Sequence, residues 1–318
     1  MNMKELKVIF MGTPEFSLDV LSGLIENTNV IGVVTQPDRV VGRDKEVSFS
    51  PVKKMALEHN IEVFQPERIR KDYDWVINKN PDMIVTCAFG QIIPEVILDC
   101  PKYGCINVHA SLLPKLRGGS PLHHALIDGY DKTGVTIMFM DKGMDTGDII
   151  LQKEIDILDS DNVGTIHDKL KVIGRDLLLE TIPMILDGTN PRIKQNDLEA
   201  TICRNISHEE EIIDFNDNCR NIFNKVRGMN PFPVTSFILN DKVYKIYSVH
   251  YMVTDRYQNK TNGEVVIFNK HEFGIKCNDG VIFIDELKKE GKKKMNVNNF
   301  LNGTQDIKEG NIVRWKIN

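Results

Sequence analysis

Apolar runs alternate with helical patterns over roughly the first 190 residues. LKVIFMG predicts a buried strand and FSLDVLSGLIE the helix after it; NVIGVVT and SPVKKMALEHN repeat the pair. IEVFQP predicts a short third strand, RKDYDWVINKN is compatible with a helix, and PDMIVTCAF predicts a further apolar strand. Pro94 suits the first turn of a short helix, PEVILDC. GCINVHASL, TGVTIMFM and DIILQKEIDI predict three more strands, with a helix around PLHHALIDG. An amphipathic stretch from 162 to 187 predicts a long helix, stopped by Gly188. This alternation implies an α/β fold: a doubly wound, mostly parallel, Rossmann-like sheet with helices on both faces.

The texture changes after residue 189. TNPRIKQNDLEATICRNIS is polar and reads as a linker, 190–206. HEEEIIDFNDNCRNIFNKVRGM supplies one or two helices, and short β-rich runs follow: TSFILNDKVYKIYSVHY, NGEVVIFNKHEFGIKC and GVIFIDEL. Their spacing and turn signals predict a small antiparallel barrel of OB-like type over 207–318. The expected organisation is a larger domain at 1–189, the linker, and the barrel.

Composition changes this picture little. With 318 residues, 41% hydrophobic and 27% charged, the chain has the make-up of an ordinary globular protein of about two domains. A net charge of -5 excludes a uniformly basic nucleic-acid protein. It leaves room for a local basic surface, and from residue 242 onward basic residues outnumber acidic ones by about five. KKEGKKK, 288–294, is the densest run there and by itself reads as a solvated turn. The six cysteines are scattered, with no CxxC and no histidine at zinc-ligand spacing, so reduced thiols and no metal are expected. No apolar run nears the roughly 18 residues of a membrane span, and MNMKELKVIFMG lacks a signal-peptide core; a cytoplasmic location is expected.

Candidate chemistry gathers around one strand. GTPEF, 12–16, follows the first strand where a phosphate-binding loop would sit. It is neither GxGxxG nor GxxxxGK[ST], and Pro14 removes a backbone donor, so a nicotinamide or ATP site is disfavoured. Asn107 and His109 are two apart on a strand and point the same way. By themselves they read as a polar pair pinning a strand end. The glycine-punctuated loop DKGMDTGDI offers a third group from Asp141, Asp145 or Asp148. An amide, an imidazole and a carboxylate together suit acyl transfer to an amine, with the first two stabilising an oxyanion. No Ser or Cys is evidently paired with His109, so direct transfer without a covalent enzyme intermediate is the economical reading. His123 and His124 point about 100° apart on a helix, which argues against a shared ligand role. Phe232 reads as packing, and Trp75 and Trp315 as anchors without assignable chemistry.

NVHASLLPKLRGGSP followed by TGVTIMFMDKGMDTGDI resembles the signature of the folate-dependent formyltransferases. FMGTPEF, TQPDRVVGR and NPFP narrow the resemblance to the members that act on charged initiator tRNA, and it runs over essentially the whole chain. Sugar-nucleotide formyltransferases share the NxH…D core but usually lack GTPEF and QPDRxxGR, and formylation of an amino sugar is the alternative. The resemblance implies transfer from 10-formyltetrahydrofolate, as cosubstrate, to the α-amine of methionyl-initiator tRNA. It implies Asn107, His109 and Asp145 as the catalytic trio and Ser111, Leu112, Leu113 and Pro114 as a folate-contacting turn. CAFGQIIP, with Phe89 and Gly90, matches a loop lining the pterin pocket. Arg43 and Arg39 match the loop that enters the tRNA acceptor end, and the basic barrel is implied as a second tRNA contact. One departure stands out: Asp44 and Glu46 flank Lys45 where relatives are often more basic, which shifts weight to Arg43. A monomer is expected.

Overall fold

A computed structural model describes residues 2–41, 46–303 and 307–314 of the chain. They form two compact units: Met1–Pro121, Lys132–Asp156 and His167–Cys203 in the first, and Leu122–Asp131, Ile157–Ile166 and Arg204–Asn318 in the second.

The first unit opens with β1 (Lys7–Gly12), α1 (Phe16–Asn27) and β2 (Asn29–Val34). An antiparallel hairpin, β3 (Arg39–Val41) and β4 (Glu46–Ser48), precedes α2 (Pro51–Glu58). Ser50 caps α2 by accepting from Lys53 N at 3.0 Å, and Pro51 fits its first turn because the missing N–H has no partner there anyway. Then come β5 (Val63–Phe64), α3 (Asp74–Asn78), β6 (Met83–Cys87), α4 (Glu95–Leu98) and β7 (Cys105–His109). A two-residue strand, β8 (Arg117–Gly118), is followed by α5 (Pro121–Ile127), which falls in the second unit after its first residue, and by β9 (Lys132–Phe139) and β10 (Ile149–Asp156) of the first. The 25-residue α6 (Val163–Asp187), in the first unit from His167 onward, and β11 (Ile202–Cys203) complete the series.

Seven of these strands form one sheet in the order β10-β9-β7-β6-β1-β2-β5. The β5-β2-β1-β6-β7 part is parallel, while β9 and β10 add antiparallel at one edge. Val8, Ile9, Phe10 and Met11 of β1 are fully buried, as a central strand covered on both faces requires. Strand order reverses between β1 and β6, so the carboxyl ends Gly12 and Cys87 flank the crevice where folds of this type bind ligands.

Of the segment 190–206, read from sequence as a linker, residues 190–203 are built into the first unit and 204–206 belong to the second. Ile193 exchanges two backbone hydrogen bonds with Ile149, of 2.8 and 2.9 Å. β11 pairs in parallel with β8, and Arg117 N donates to Thr201 O at 2.9 Å.

In the second unit, α7 (Cys219–Gly228) is the one helix formed by the segment 208–229. The strands are β12 (Thr235–Leu239), β13 (Lys242–Val253), β14 (Val265–Phe268), β15 (Phe273–Cys277) and β16 (Gly280–Lys289), with β17 (Met295–Asn296) and α8 (Val297–Asn302) after them. They pair antiparallel in the order β12-β13-β16-β15-β14. The two edges are brought together by residues 312–314: Ile312 bridges Glu264 beside β14, and Arg314 bridges Ile238 in β12. Phe237, Tyr244, Phe273 and Phe300 fill the interior with Ile222 and Val226 of α7. The Lys292–Lys294 turn after β16 is exposed.

Candidate active site

β6 and β7 lie side by side with Thr86 opposite Asn107. Thr86 Oγ1 lies 2.9 Å from Asn107 Oδ1 and donates to it. The carbonyl end of the amide therefore faces the sheet, and its NH2 is aimed away toward Asp145 Oδ1, 3.3 Å off. His109, one strand period further, is 6% exposed. Its Nε2 lies 3.0 Å from Leu116 O, and because a carbonyl only accepts, Nε2 carries the hydrogen. Nδ1 then faces Asp145 Oδ2 across 3.6 Å. The other ring nitrogen is thus the one free to take up a proton beside a carboxylate. Donation from the imidazole to a substrate oxygen would require Nε2–H to leave Leu116 O.

Asp145 arrives from an unexpected direction. The β9–β10 loop leaves the sheet at the start of β7, where Met140 N donates to Cys105 O at 2.8 Å. It then folds back to set Asp145 against Asn107 and His109. The turn holds Asp145 in the left-handed region, φ 54°. Its Oδ2 accepts from Gly118 N at 2.8 Å. Gly118 has φ 107°, and a Cβ there would stand 2.5 Å from Cys203 O, so only glycine brings this N–H so close. Asp141 and Asp148 shape the loop instead: Asp141 Oδ1 accepts from Gly143 N and Thr146 Oγ1, and Asp148 pairs with Arg192 at 3.0 Å. Among the three carboxylates left open by the sequence, Asp145 is the one that meets Asn107 and His109.

The folate-turn candidates follow directly. Ser111 is buried and its Oγ donates to Lys115 O at 2.7 Å, so it braces the turn. Thr136 Oγ1 donates to Ser111 O and accepts from Leu113 N, and Gln152 Nε2 donates to Leu113 O, at 2.7, 3.1 and 2.8 Å. Leu113 is buried, whereas Leu112 and Pro114 are half-buried. Phe89 is 4% exposed and packs with Ile9, Met11, Val34 and Ile69; its ring belongs to the core. Its carbonyl is the part turned to the loops, accepting from Thr13 Oγ1 at 3.2 Å and Gln36 Nε2 at 3.0 Å. The positive φ of Ala88 (49°) and Gly90 (84°) turns this segment sharply and leaves both exposed, with Ile92 64% exposed after them.

Burial pushes the Cys87 thiol up to about 12 and raises that of Cys105 as well. Both stay protonated near neutrality, so neither thiol on β6 or β7 is a nucleophile.

Arg39 is exposed on β3, while Arg43 falls outside the described residues, as does Trp315. Phe232, read as packing, is 75% exposed. Trp75 stacks on Phe64 at 5.1 Å and its Nε1 donates to Glu62 at 2.6 Å. His123 and His124 bind different carbonyls, those of Gly228 and Arg204. Four participants escaped the sequence reading: Thr86, Gly118, Arg117 and Gln195. Thr86 and Gly118 had faint signals, a hydroxyl in an apolar strand and a Gly-Gly pair. Gln195 had none.

Residues 6–182 match the formyl transferase family and residues 205–305 match the formyl transferase C-terminal domain. The chain belongs to the formyl transferase family. Within it, this formyl transferase is 46% identical over 310 residues to the methionyl-tRNA formyltransferase of Staphylococcus epidermidis, covering 96% of this chain and 99% of that protein. It is 46% identical to the Staphylococcus aureus protein of the same name over 309 residues, covering 96% and 98%. Solved structures share the fold at low identity. The N-formyltransferase of Helicobacter canadensis, in complex with folinic acid and dTDP-3-aminofucose, superposes with a TM-score of 0.65 at 19% identity, over 91% of this chain and 100% of that one. HypX from Aquifex aeolicus, in complex with tetrahydrofolic acid, gives 0.60 at 16% identity over 98% of this chain and 51% of that one.

Proposed function

We propose that this formyl transferase moves the formyl group of 10-formyltetrahydrofolate to the α-amine of methionyl-initiator tRNA, giving N-formylmethionyl-tRNA. The observation that carries this reading is the meeting of Asn107, His109 and Asp145, in a chain alike over nearly its full length to methionyl-tRNA formyltransferases.

The segments that follow β6 and β7 support a folate as the donor. Leu112, Pro114 and exposed Ile92 offer apolar surface for a flat ring, and the exposed backbone at Ala88 and Gly90 offers polar edges. The bound cosubstrate supplies the activated formyl carbon. An α-amine titrates near neutrality, about 7.7 to 8.0, so about a tenth or more of it is already unprotonated at about pH 7 and only a modest base is needed. Asn107 donates one N–H to Asp145 and keeps its second for the formyl oxygen as negative charge develops there. His109 Nδ1 and Asp145 together accept the proton that the amine sheds and return it to N10 as the bond from the formyl carbon to N10 breaks and tetrahydrofolate leaves, with Leu116 O holding the ring in place. Arg43, with Arg39, contacts the acceptor end by stacking and phosphate contact, and the exposed Lys292–Lys294 turn meets the tRNA body through phosphates.

The test is formyl transfer to charged initiator tRNA by wild type, His109→Ala and Arg43→Ala. His109→Ala is expected to lower kcat by about 100-fold or more. Arg43→Ala is expected to raise KM for tRNA and leave the folate KM unchanged. A wild-type protein that formylates an amino-sugar nucleotide and ignores charged tRNA overturns the reading, as does binding of tRNA and folate without any turnover.

A further inference from the structure

Asp145 is held at both ends by one stretch of chain. Its carboxylate takes Gly118 N–H, and Gly118 is fixed because β8 pairs with β11: Gly119 N donates to Cys203 O at 3.1 Å. Its backbone carbonyl is held by Gln195, eight residues upstream on the same stretch. Gln195 Nε2 donates to Asp145 O and to Gly147 O, both at 2.8 Å. Those two bonds use both hydrogens of the amide. The other end of the amide accepts from Arg117 Nε at 3.0 Å, and Arg117, 5% exposed, also reaches Asp197 at 2.8 Å. The Ile193–Ile149 pairing sets the register that brings Gln195 opposite the loop.

The loop needs such a clamp. Asp145 is a non-glycine residue in the left-handed region, a backbone state that neighbours must impose. Relaxing it rotates the peptide and swings the carboxylate away from Asn107 and His109.

We propose that Gln195 is a positioning residue which fixes the backbone, and through it the carboxylate, of Asp145. The proposal rests on the reading of Asp145 as a catalytic group. Gln195 touches neither substrate; it acts by holding Asp145 where a shift of about 1 Å costs on the order of 100-fold in rate.

Three variants test it: Gln195→Leu, Gln195→Glu and Asp145→Asn, each assayed for formyl transfer to charged initiator tRNA. Gln195→Glu keeps an acceptor for Arg117, and so its share of stability, while turning a carboxylate against two carbonyls. Both Gln195 variants are expected to lose about 10- to 100-fold in kcat. The KM values for folate and tRNA are expected to hold, and kcat is taken per folded protein, because Gln195→Glu also gives up the two bonds to Asp145 O and Gly147 O. Unchanged kcat, a rise in KM alone, or a rate loss that only follows the loss of folded protein overturns the proposal. Normal activity of Asp145→Asn sinks the reading of the site itself, which separates the two failures.

Discussion

Asn107 Nδ2 stands 3.3 Å from Asp145 Oδ1 although 38 residues separate the two in the chain. The same carboxylate presents its second oxygen to Gly118 N–H and to the His109 ring. One group thereby faces two donors and an imidazole at once, which only a pair of acceptor oxygens can do. Asp145→Asn replaces one oxygen by a donor and sets it against another donor. We expect kcat to fall by at least about 100-fold, with the thermal midpoint little changed. Single-turnover formyl transfer is the measurement, and near wild-type turnover would remove Asp145 from the chemistry.

Thr86 holds the Asn107 amide the right way round. Thr86→Val keeps the shape of the side chain and removes the hydroxyl that donates to Asn107 Oδ1 at 2.9 Å. The lost hydrogen bond is worth about 1 kcal/mol. If that term is felt in the transition state, kcat drops by about fivefold. Unaltered kcat alongside reduced stability would assign Thr86 to the fold alone.

Two glycines with positive φ are expected to behave differently. Gly118→Ala places a methyl 2.5 Å from Cys203 O, so β11 must move and the N–H that binds Asp145 moves with it. Gly188, just past α6, has φ 71° but nothing within 4 Å of a Cβ. Gly188→Ala meets only backbone strain, about 1 to 2 kcal/mol. Denaturant unfolding of the two variants, with activity of the folded fraction, checks this. Gly118→Ala is expected to lose activity even where it folds, and Gly188→Ala to keep it.

His123 and His124 are adjacent yet titrate in opposite senses. Burial holds the His123 imidazole below its ordinary value of 6.5, with the bond to Gly228 O opposing. The hydrogen bond to Asp128 raises His124 above 6.5. For His123 the folded value is depressed, so its contribution is present above 6.5 and is lost as pH falls from there through the folded value. For His124 the folded value is raised, so its contribution is full below 6.5 and fades as pH rises through the folded value. Stability curves at about pH 5 and about pH 8 for His123→Gln and His124→Gln should therefore diverge from wild type at opposite ends. Parallel curves would show that neither shift exists.

Much of the fold was legible because buried strands need continuous apolar runs. β1 and β6 read that way, and α6 ended at Gly188 as its C-terminal glycine implied. β8 and β11 were not legible: a two-residue strand carries no period, and the pairing of Arg117 and Gly118 with Ile202 and Cys203 is a long-range event. The polar stretch 190–203 looked like a linker for the same reason, since its role lies in backbone pairing and in one glutamine. Phe89 was read for a pocket by its place in a motif, but its ring serves the core and its carbonyl the loops.

The sequence by itself determined which atoms stand on one strand face. Asn107 and His109 are two apart, and the strand period forces them to the same side whatever surrounds them. Spacing also set the supply of carboxylates in the next loop but not the choice among Asp141, Asp145 and Asp148, which in the sequence rested on the family resemblance alone. The tertiary structure decided that, because the loop starts at the far end of β7 and must fold back under the hold of Gly118 and Gln195. Side-chain direction along a strand is a local property of the backbone; the meeting of two segments depends on everything that packs between them.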